Sequence, residues 1–188
     1  MEAFLVSTVV VAVGEIGDKT QLLALVLAAR LKKPLPIVLG ILVATLFNHT
    51  LAGLAGAWVR TMIPAPYLRW LLVASFFAVA LWALKPDSMD SELTPQSRWG
   101  AFMVTAVAFF LAEIGDKTQI ATVVLAARFA NLVAVVAGTT LGMLIADVPV
   151  VLLGNAAAAR IPMRLVRYAA AGLFALLGVA AWLAPVSL

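Results

Sequence analysis

The chain has 188 residues, of which 64% are hydrophobic and 12% are charged, and its mean hydropathy is +1.10. A water-soluble protein of this length could not cover so much apolar surface, so the composition indicates an all-α integral membrane protein. The formal net charge of +4 comes mainly from bases in short loops beside the lipid headgroups, and we expect no nucleic-acid partner. The absence of cysteine excludes disulfides and thiolate metal sites.

Six apolar segments follow one another along the chain, each near the roughly 20 residues that cross a bilayer. They are Phe4–Ala29, Leu35–Val59, Tyr67–Leu84, Ala101–Ala127, Leu132–Leu153 and Leu165–Leu183. Prolines and clustered charges separate them. No basic stretch precedes the first segment, and its acids come before any cleavage signal, so we interpret it as a retained transmembrane helix.

One motif occurs twice, as Glu-Ile-Gly-Asp-Lys-Thr-Gln at 15–21 and again at 113–119. The two halves align at an offset of 98 residues, and 12 of 16 positions are identical between 15–30 and 113–128. We therefore predict a first three-helix repeat over 1–85, a short acidic linker over 86–98, and a second three-helix repeat over 99–188. Because three spans per half is odd, the second half must enter the membrane with opposite polarity, as in inverted-repeat transporters.

The loop bases predict the orientation. Eight bases fall on one side and three on the other. The first group is Arg30, Lys32, Lys33, Lys85, Arg98, Arg160, Arg164 and Arg167, and the second is Arg60, Arg69 and Arg128. The first side is predicted to be cytoplasmic, with the linker there and both termini outside.

The acids of the motifs are the strongest functional signal, because ionisable groups are costly inside a membrane and mark ion paths or binding sites. Each motif places its two acids three residues apart, on one face if the helix is continuous. The predicted metal-binding acids are Glu15, Asp18, Glu113 and Asp116. A pseudo-two-fold axis would bring all four to the membrane midplane. With Lys19 and Lys117 present, their net charge of about −2 would be neutralised by one divalent cation or by two protons.

The lysines admit two interpretations. Each could pair with the aspartate beside it, although sequence neighbours diverge by about 100° on a helix. Alternatively, Lys19 could pair with Asp116 and Lys117 with Asp18. As cations they cannot be ligands, so we treat both as electrostatic partners, proton relays or gates.

The remaining polar groups of the motifs complete an all-oxygen ligand set. We include the hydroxyls of Thr20 and Thr118 and the amides of Gln21 and Gln119. Such a set suits hard cations such as Ca²⁺, Mg²⁺ and Mn²⁺. The glycine of each motif could either turn backbone carbonyls toward the ion, as in broken transporter helices, or simply allow close packing.

Three candidate polar residues fall in the second spans, two in the first half and one in the second. Asn48 and His49 lie mid-span in the first half, and His49 aligns with Asp147 in the second. A lone buried histidine is usually a packing residue, but its ordinary pKa would also suit a proton relay. Asp147 has no base near it in sequence, which favours a functional role. We predict all three as candidates for a proton relay or gate.

The doubled Glu-x-Gly-Asp-Lys-Thr motif in a small six-span protein resembles the Gdt-type cation/proton exchanger family. The resemblance covers both halves, and neither copy departs from the motif. It implies transport of Mn²⁺ and/or Ca²⁺ against protons, with the motif acids as the ion site. The short central loop is similar to that of minimal bacterial members, which typically export manganese. The family resemblance also implies a location in a bacterial inner membrane and no prosthetic group. It leaves the oligomeric state open.

Two other classes are compatible with six spans. An exporter of amino acids or other organic cations would need a cradle for an α-carboxylate, which four clustered acids oppose. An intramembrane lipid-phosphate enzyme would need a nucleophile with arginines gathering the phosphate. No arginine lies mid-span in this chain, so we expect it not to be an enzyme.

Overall fold

The structure, a computed structural model, describes residues 1–85, 100–153 and 163–183. Over these ranges it contains eight α-helices and no β-strand, so the predicted all-α class is confirmed there. The helices are α1 Glu2–Glu15, α2 Lys19–Leu31, α3 Pro34–Met62, α4 Ala65–Ala83, α5 Gly100–Glu113, α6 Lys117–Arg128, α7 Leu132–Leu153 and α8 Met163–Leu183. The predicted linker over 86–98 and the loop base Arg160 lie outside the described residues.

Both motifs interrupt the helix that contains them. Helices α1 and α5 end at the glutamate of the motif, and α2 and α6 begin at its lysine. Gly17 and Gly115, with φ angles of 81° and 74°, adopt the left-handed conformation that residues with a Cβ avoid. The predicted spans Phe4–Ala29 and Ala101–Ala127 are therefore two helices each. The expectation that the two acids of a motif share one face of a continuous helix is wrong, because the left-handed glycine between them ends the helix.

The helices repeat with the same offset as the sequence. Helices α5, α6, α7 and α8 each begin 98 residues after α1, α2, α3 and α4. Helix α1 packs mainly against α7, and α5 packs mainly against α3. Helix α4 packs against α8. Each half thus lays its first helix on the long helix of the other half, and the two halves form one interleaved bundle.

Glycines allow this interleaving at equivalent points. A Cβ on Gly40 of α3 would lie 2.8 Å from the carbonyl oxygen of Phe102, and one on Gly138 of α7 would lie 2.5 Å from that of Phe4. The four positions correspond at the repeat offset. Small residues permit such backbone contacts between helices in lipid, so these glycines hold the halves in register.

The bundle has the polarity of a protein in a bilayer. Three described helices are long and apolar enough to span it, namely α3, α4 and α7, and shorter apolar helices cover Gly100–Glu113 and Arg167–Leu183. Large apolar side chains face outward, including Phe47, Trp58 and Leu81, whereas the carboxyl groups of the motifs are buried. A soluble protein seldom exposes so many large apolar side chains while it buries several carboxyl groups. The count of six spans and their inverted topology remain predictions.

Candidate cation site

Acids from both motifs meet in the interior of the bundle. Glu15, Glu113 and Asp116 each offer a carboxylate oxygen, and these oxygens all lie within 4.8 Å of one another. All three residues are buried, as is Asp18. Carboxylates this close and this far from water need cations or protons to neutralise them. The interrupted helices therefore bring the two halves of the chain to one cluster.

The break in each helix positions these acids. The backbone N–H of Asp18 donates to the carbonyl of Glu15 at 3.0 Å, and that of Asp116 donates to the carbonyl of Glu113 at 3.1 Å. Each glutamate thus closes one helix, and each aspartate stands at the N-cap of the next. At the second break Asp116 Oδ2 also accepts from the N–H of Thr118 at 3.3 Å. The tight turn holds both carboxylates of a motif beside the interruption.

The threonines of the motifs hold one oxygen of each glutamate. Thr20 donates its hydroxyl to Glu15 Oε1. Thr118 lies 3.1 Å from Glu113 Oε2 and 3.2 Å from Asp116 Oδ2. The other glutamate oxygens, Glu15 Oε2 and Glu113 Oε1, are buried without a hydrogen-bond partner in the described parts of the chain. One oxygen of each glutamate is therefore oriented, and the other is available to a ligand.

The lysines pair across the repeat. Lys19 Nζ lies 3.0 Å from Asp116 Oδ1, and Lys117 Nζ forms the reciprocal ion pair with Asp18 Oδ1. The cross-copy interpretation of the sequence is thus the one that the structure contains. The Lys117 side chain is 7% exposed and the Lys19 side chain 26%. Each aspartate is thus paired with a lysine of the other motif, whereas the two glutamates have no ion pair of this kind among the described residues.

The glutamines support the breaks. Gln21 Oε1 accepts from the N–H of Gly17 at 2.9 Å, and Gln119 Oε1 accepts from the N–H of Gly115 at 2.8 Å. Gln21 Nε2 also donates to the carbonyl of Ala146 in α7 at 3.0 Å. The amide oxygens predicted as ligands are thus engaged with the backbone at the interruption. Sequence reasoning missed this bracing role, because the only signal for it is a glutamine four residues after the glycine.

The second-span residues differ from one another. Asn48 Nδ2 donates to the carbonyl of Phe110 in α5 at 3.1 Å. His49 is fully buried, and neither ring nitrogen has a hydrogen-bond partner among the described residues. Asp147 is fully buried, and neither of its carboxylate oxygens has a hydrogen-bond partner among the described residues. The carbonyls of Phe110 and Ala146 that take part here leave no signal in a sequence.

A protein-family model described as "Divalent cation/proton antiporter GDT1" matches residues 3–91 and 101–187 of the chain. The chain belongs to the GDT1 family. This is a family of transporters, and its model covers both halves with their motifs. The resemblance inferred from the doubled motif is confirmed.

Curated relatives agree with this assignment. The chain is 49% identical over 181 residues to a Vibrio cholerae protein named "Putative manganese exporter", covering 96% of this chain and 90% of the relative. It is 30% identical over 204 residues to "GDT1-like protein sll0615" of Synechocystis, with 97% of each chain covered. It is 25% identical to "GDT1-like protein 5" of Arabidopsis thaliana, over 99% of this chain and 97% of the relative. No solved structure gives a significant match.

Proposed function

We propose that this protein exports Mn²⁺ and/or Ca²⁺ from the cytoplasm in exchange for protons. The observation that carries the proposal is the convergence of Glu15, Glu113 and Asp116 within 4.8 Å inside an apolar bundle. Membership of the divalent cation/proton antiporter family supports the reaction class. The name of the Vibrio cholerae relative supports manganese and the outward direction.

The chemistry of the donors supports a hard divalent cation. The groups around the cluster are carboxylates and threonine hydroxyls. The sequence has no cysteine and only one histidine. Oxygen donors of this kind suit Mn²⁺ and Ca²⁺, whereas zinc and copper sites generally include sulfur or several imidazoles. Glu15 and Glu113, one from each half, are the proposed central ligands, with Asp116 beside them.

Proton coupling would follow from the same cluster. Closely spaced buried carboxylates must be neutral or neutralised, so a site without metal would hold protons. A metal ion requires ionised ligands and would expel those protons when it binds. If the site changes sides only when loaded with one or the other, cation and protons move in opposite directions. An inward proton gradient would then drive the cation out of the cytoplasm.

The topology belongs to the same proposal. Six spans arranged as two inverted repeats would place the cluster near the midplane of a bacterial inner membrane, with both termini outside. The equal offsets of the helix starts and the reciprocal ion pairs support a pseudo-symmetric arrangement of the halves. A reporter placed in the linker over 86–98 should therefore be cytoplasmic, and a cytoplasmic C-terminus would refute this topology.

The test uses the purified protein in proteoliposomes with a pH-sensitive dye inside. Mn²⁺ or Ca²⁺ movement should be accompanied by opposite proton movement and accelerated by an opposing pH gradient. The variant Asp18→Asn/Asp116→Asn should lose both fluxes together. Metal flux that is unchanged after the pH gradient collapses, without proton counterflow, would indicate a channel or uniporter. Transport of basic amino acids instead of metal would support the organic-cation alternative.

A further inference from the structure

A fifth buried acid lies outside both motifs. Asp147 is in α7, is 0% exposed, and has no hydrogen-bond partner for either carboxylate oxygen among the described residues. Such a group weakens the fold, because a buried carboxylate that lacks partners has lost its hydration without compensation. Local features that work against stability in this way tend to occur at functional sites.

Asp147 lies on the buried face of the helix that packs beside the first motif. Helix α7 packs against α1 and α2, the two helices that meet at that motif. Among the described residues, the acids whose oxygens lie within 4.8 Å of one another are Glu15, Glu113 and Asp116, and Asp147 is outside this group. The neighbouring residue in α7, Ala146, accepts a hydrogen bond from Gln21 Nε2 at 3.0 Å, and Gln21 also holds the N–H of Gly17. This bridge fixes the position of α7 beside the break in the first motif.

The oxygens left without hydrogen bonds in this region define a donor set. Among the described residues, the unpartnered oxygens of these acids include Glu15 Oε2, Glu113 Oε1 and both oxygens of Asp147. Asp116, in contrast, already accepts from Lys19 and Thr118. Helices α1, α5 and α7 thus each contribute a buried carboxyl oxygen that has no hydrogen-bond partner in the described chain.

We propose that Asp147 is a further ligand of the transported cation, contributed by α7, and that it makes the site asymmetric. The equivalent position in α3 holds His49, so the first half supplies no such carboxylate. The inference rests on the proposed function, since it assigns another residue to the same cation site. Three carboxylates from three helices form a set of hard oxygen donors suited to a divalent cation.

The experiment measures MnCl2 binding to the full-length protein in detergent by isothermal titration calorimetry, together with thermal unfolding with and without metal. Asp147→Asn keeps the shape of the side chain and removes its charge. Thr140→Val is the matched control, because Thr140 is also buried in α7 with an unpartnered hydroxyl and lies two helical turns earlier on the same face.

Asp147→Asn should raise the Kd for Mn²⁺ by at least about ten-fold, as even the loss of a supporting residue at a metal site costs roughly that much. Its Tm without metal should be equal to or above that of the wild type, since an unpartnered buried charge has been removed. Its stabilisation by Mn²⁺ should shrink accordingly. Thr140→Val should bind Mn²⁺ as the wild type does. If Asp147→Asn does not reach the membrane, Asp147→Ser takes its place with the same expectations.

An unchanged Kd in a folded Asp147 variant would overturn the assignment while leaving the exchanger proposal intact. Weakened binding with an equal loss in Thr140→Val would also overturn it, because the effect would then come from packing of α7. Failure of the wild-type protein to bind or transport either Mn²⁺ or Ca²⁺ would instead refute the proposed function itself.

Discussion

The two copies of the motif region have nearly the same sequence but pack differently. Both end in Leu-Ala-Ala-Arg, yet Ala29 of α2 is exposed whereas Ala127 of α6 is 2% exposed. The lysines differ in the same sense, with Lys19 more exposed than Lys117. The lysine and the last turns are therefore more buried in the second copy, whereas at the break itself Ile114 of the second copy is 54% exposed and Ile16 of the first is only partly exposed.

Two of the positions that differ between the copies lie in the part of α6 that approaches α3. Ala121 and Val123 of α6 stand where α2 has the larger Leu23 and Leu25. Helix α6 approaches α3 so closely there that a Cβ on Gly56 would lie 2.2 Å from the carbonyl oxygen of Val123. The motif thus sets the break and the acids, while the residues after it set how tightly each copy is held.

The largest expected effect concerns the glutamates, which both copies of the motif contribute to the cluster. Glu15→Gln and Glu113→Gln should each reduce Mn²⁺ transport by at least about 100-fold, because each removes one carboxylate of a cluster that acts as a unit. Flux into proteoliposomes measures this, with equal amounts of folded protein as the control. Near-normal flux in either variant would refute a site shared by the halves.

The lysines test where the copies differ. Lys117→Met should lower the free energy of unfolding by about 3–5 kcal/mol, because it removes a buried ion pair with the carboxylate of Asp18. Lys19→Met should cost about 1 kcal/mol, since its ion pair is more exposed and more screened. Chemical unfolding in detergent compares them. Equal losses would show that the difference in burial has no energetic consequence.

The close contact of α6 with α3 gives a smaller effect. Gly56→Ala should destabilise the protein by about 1–3 kcal/mol, because the added methyl would force the two helices apart. The control is Gly172→Ala in α8, where no atom of the described residues lies within 4 Å of the added Cβ. That change should be neutral or stabilising by up to about 1 kcal/mol. Comparable destabilisation by both substitutions would contradict the contact.

The smallest effect concerns accessibility, and the absence of native cysteines makes it simple to measure. A thiol introduced as Ala29→Cys should react with a maleimide about ten-fold faster than one introduced as Ala127→Cys, because thiol reactivity requires access. Both variants sit in the same four-residue sequence, which serves as an internal control. Equal labelling rates would mean that positions 29 and 127 are equally accessible.

Much of the site was predictable because its information lies in side-chain identity. From the doubled motif we predicted that acids of both halves meet, as they do in the structure. The cross-copy lysine pairs were one of two interpretations of the sequence, and the structure contains them. A helix break at Gly17 was one of two interpretations of that glycine. Because the helix does break there, Glu15 ends one helix and Asp18 precedes the next.

Other features depend on contacts between parts of the chain that are distant in sequence. The bracing by Gln21 depends on the carbonyl of Ala146, a backbone group more than 100 residues away in sequence. The unequal burial of Ala29 and Ala127 arises from tertiary packing, which identical local sequences cannot encode. Sequence reasoning therefore finds the chemistry of this site more readily than the supports that hold it.

The central claim is that the two halves build one cation site, and the number of bound ions tests it most directly. Calorimetric titration of the wild-type chain with MnCl2 should give one high-affinity Mn²⁺ per chain. Glu15→Gln and Glu113→Gln should each abolish that binding, because each takes a ligand from the same ion. Two Mn²⁺ per wild-type chain, with one retained in each variant, would contradict the claim and assign a separate site to each motif.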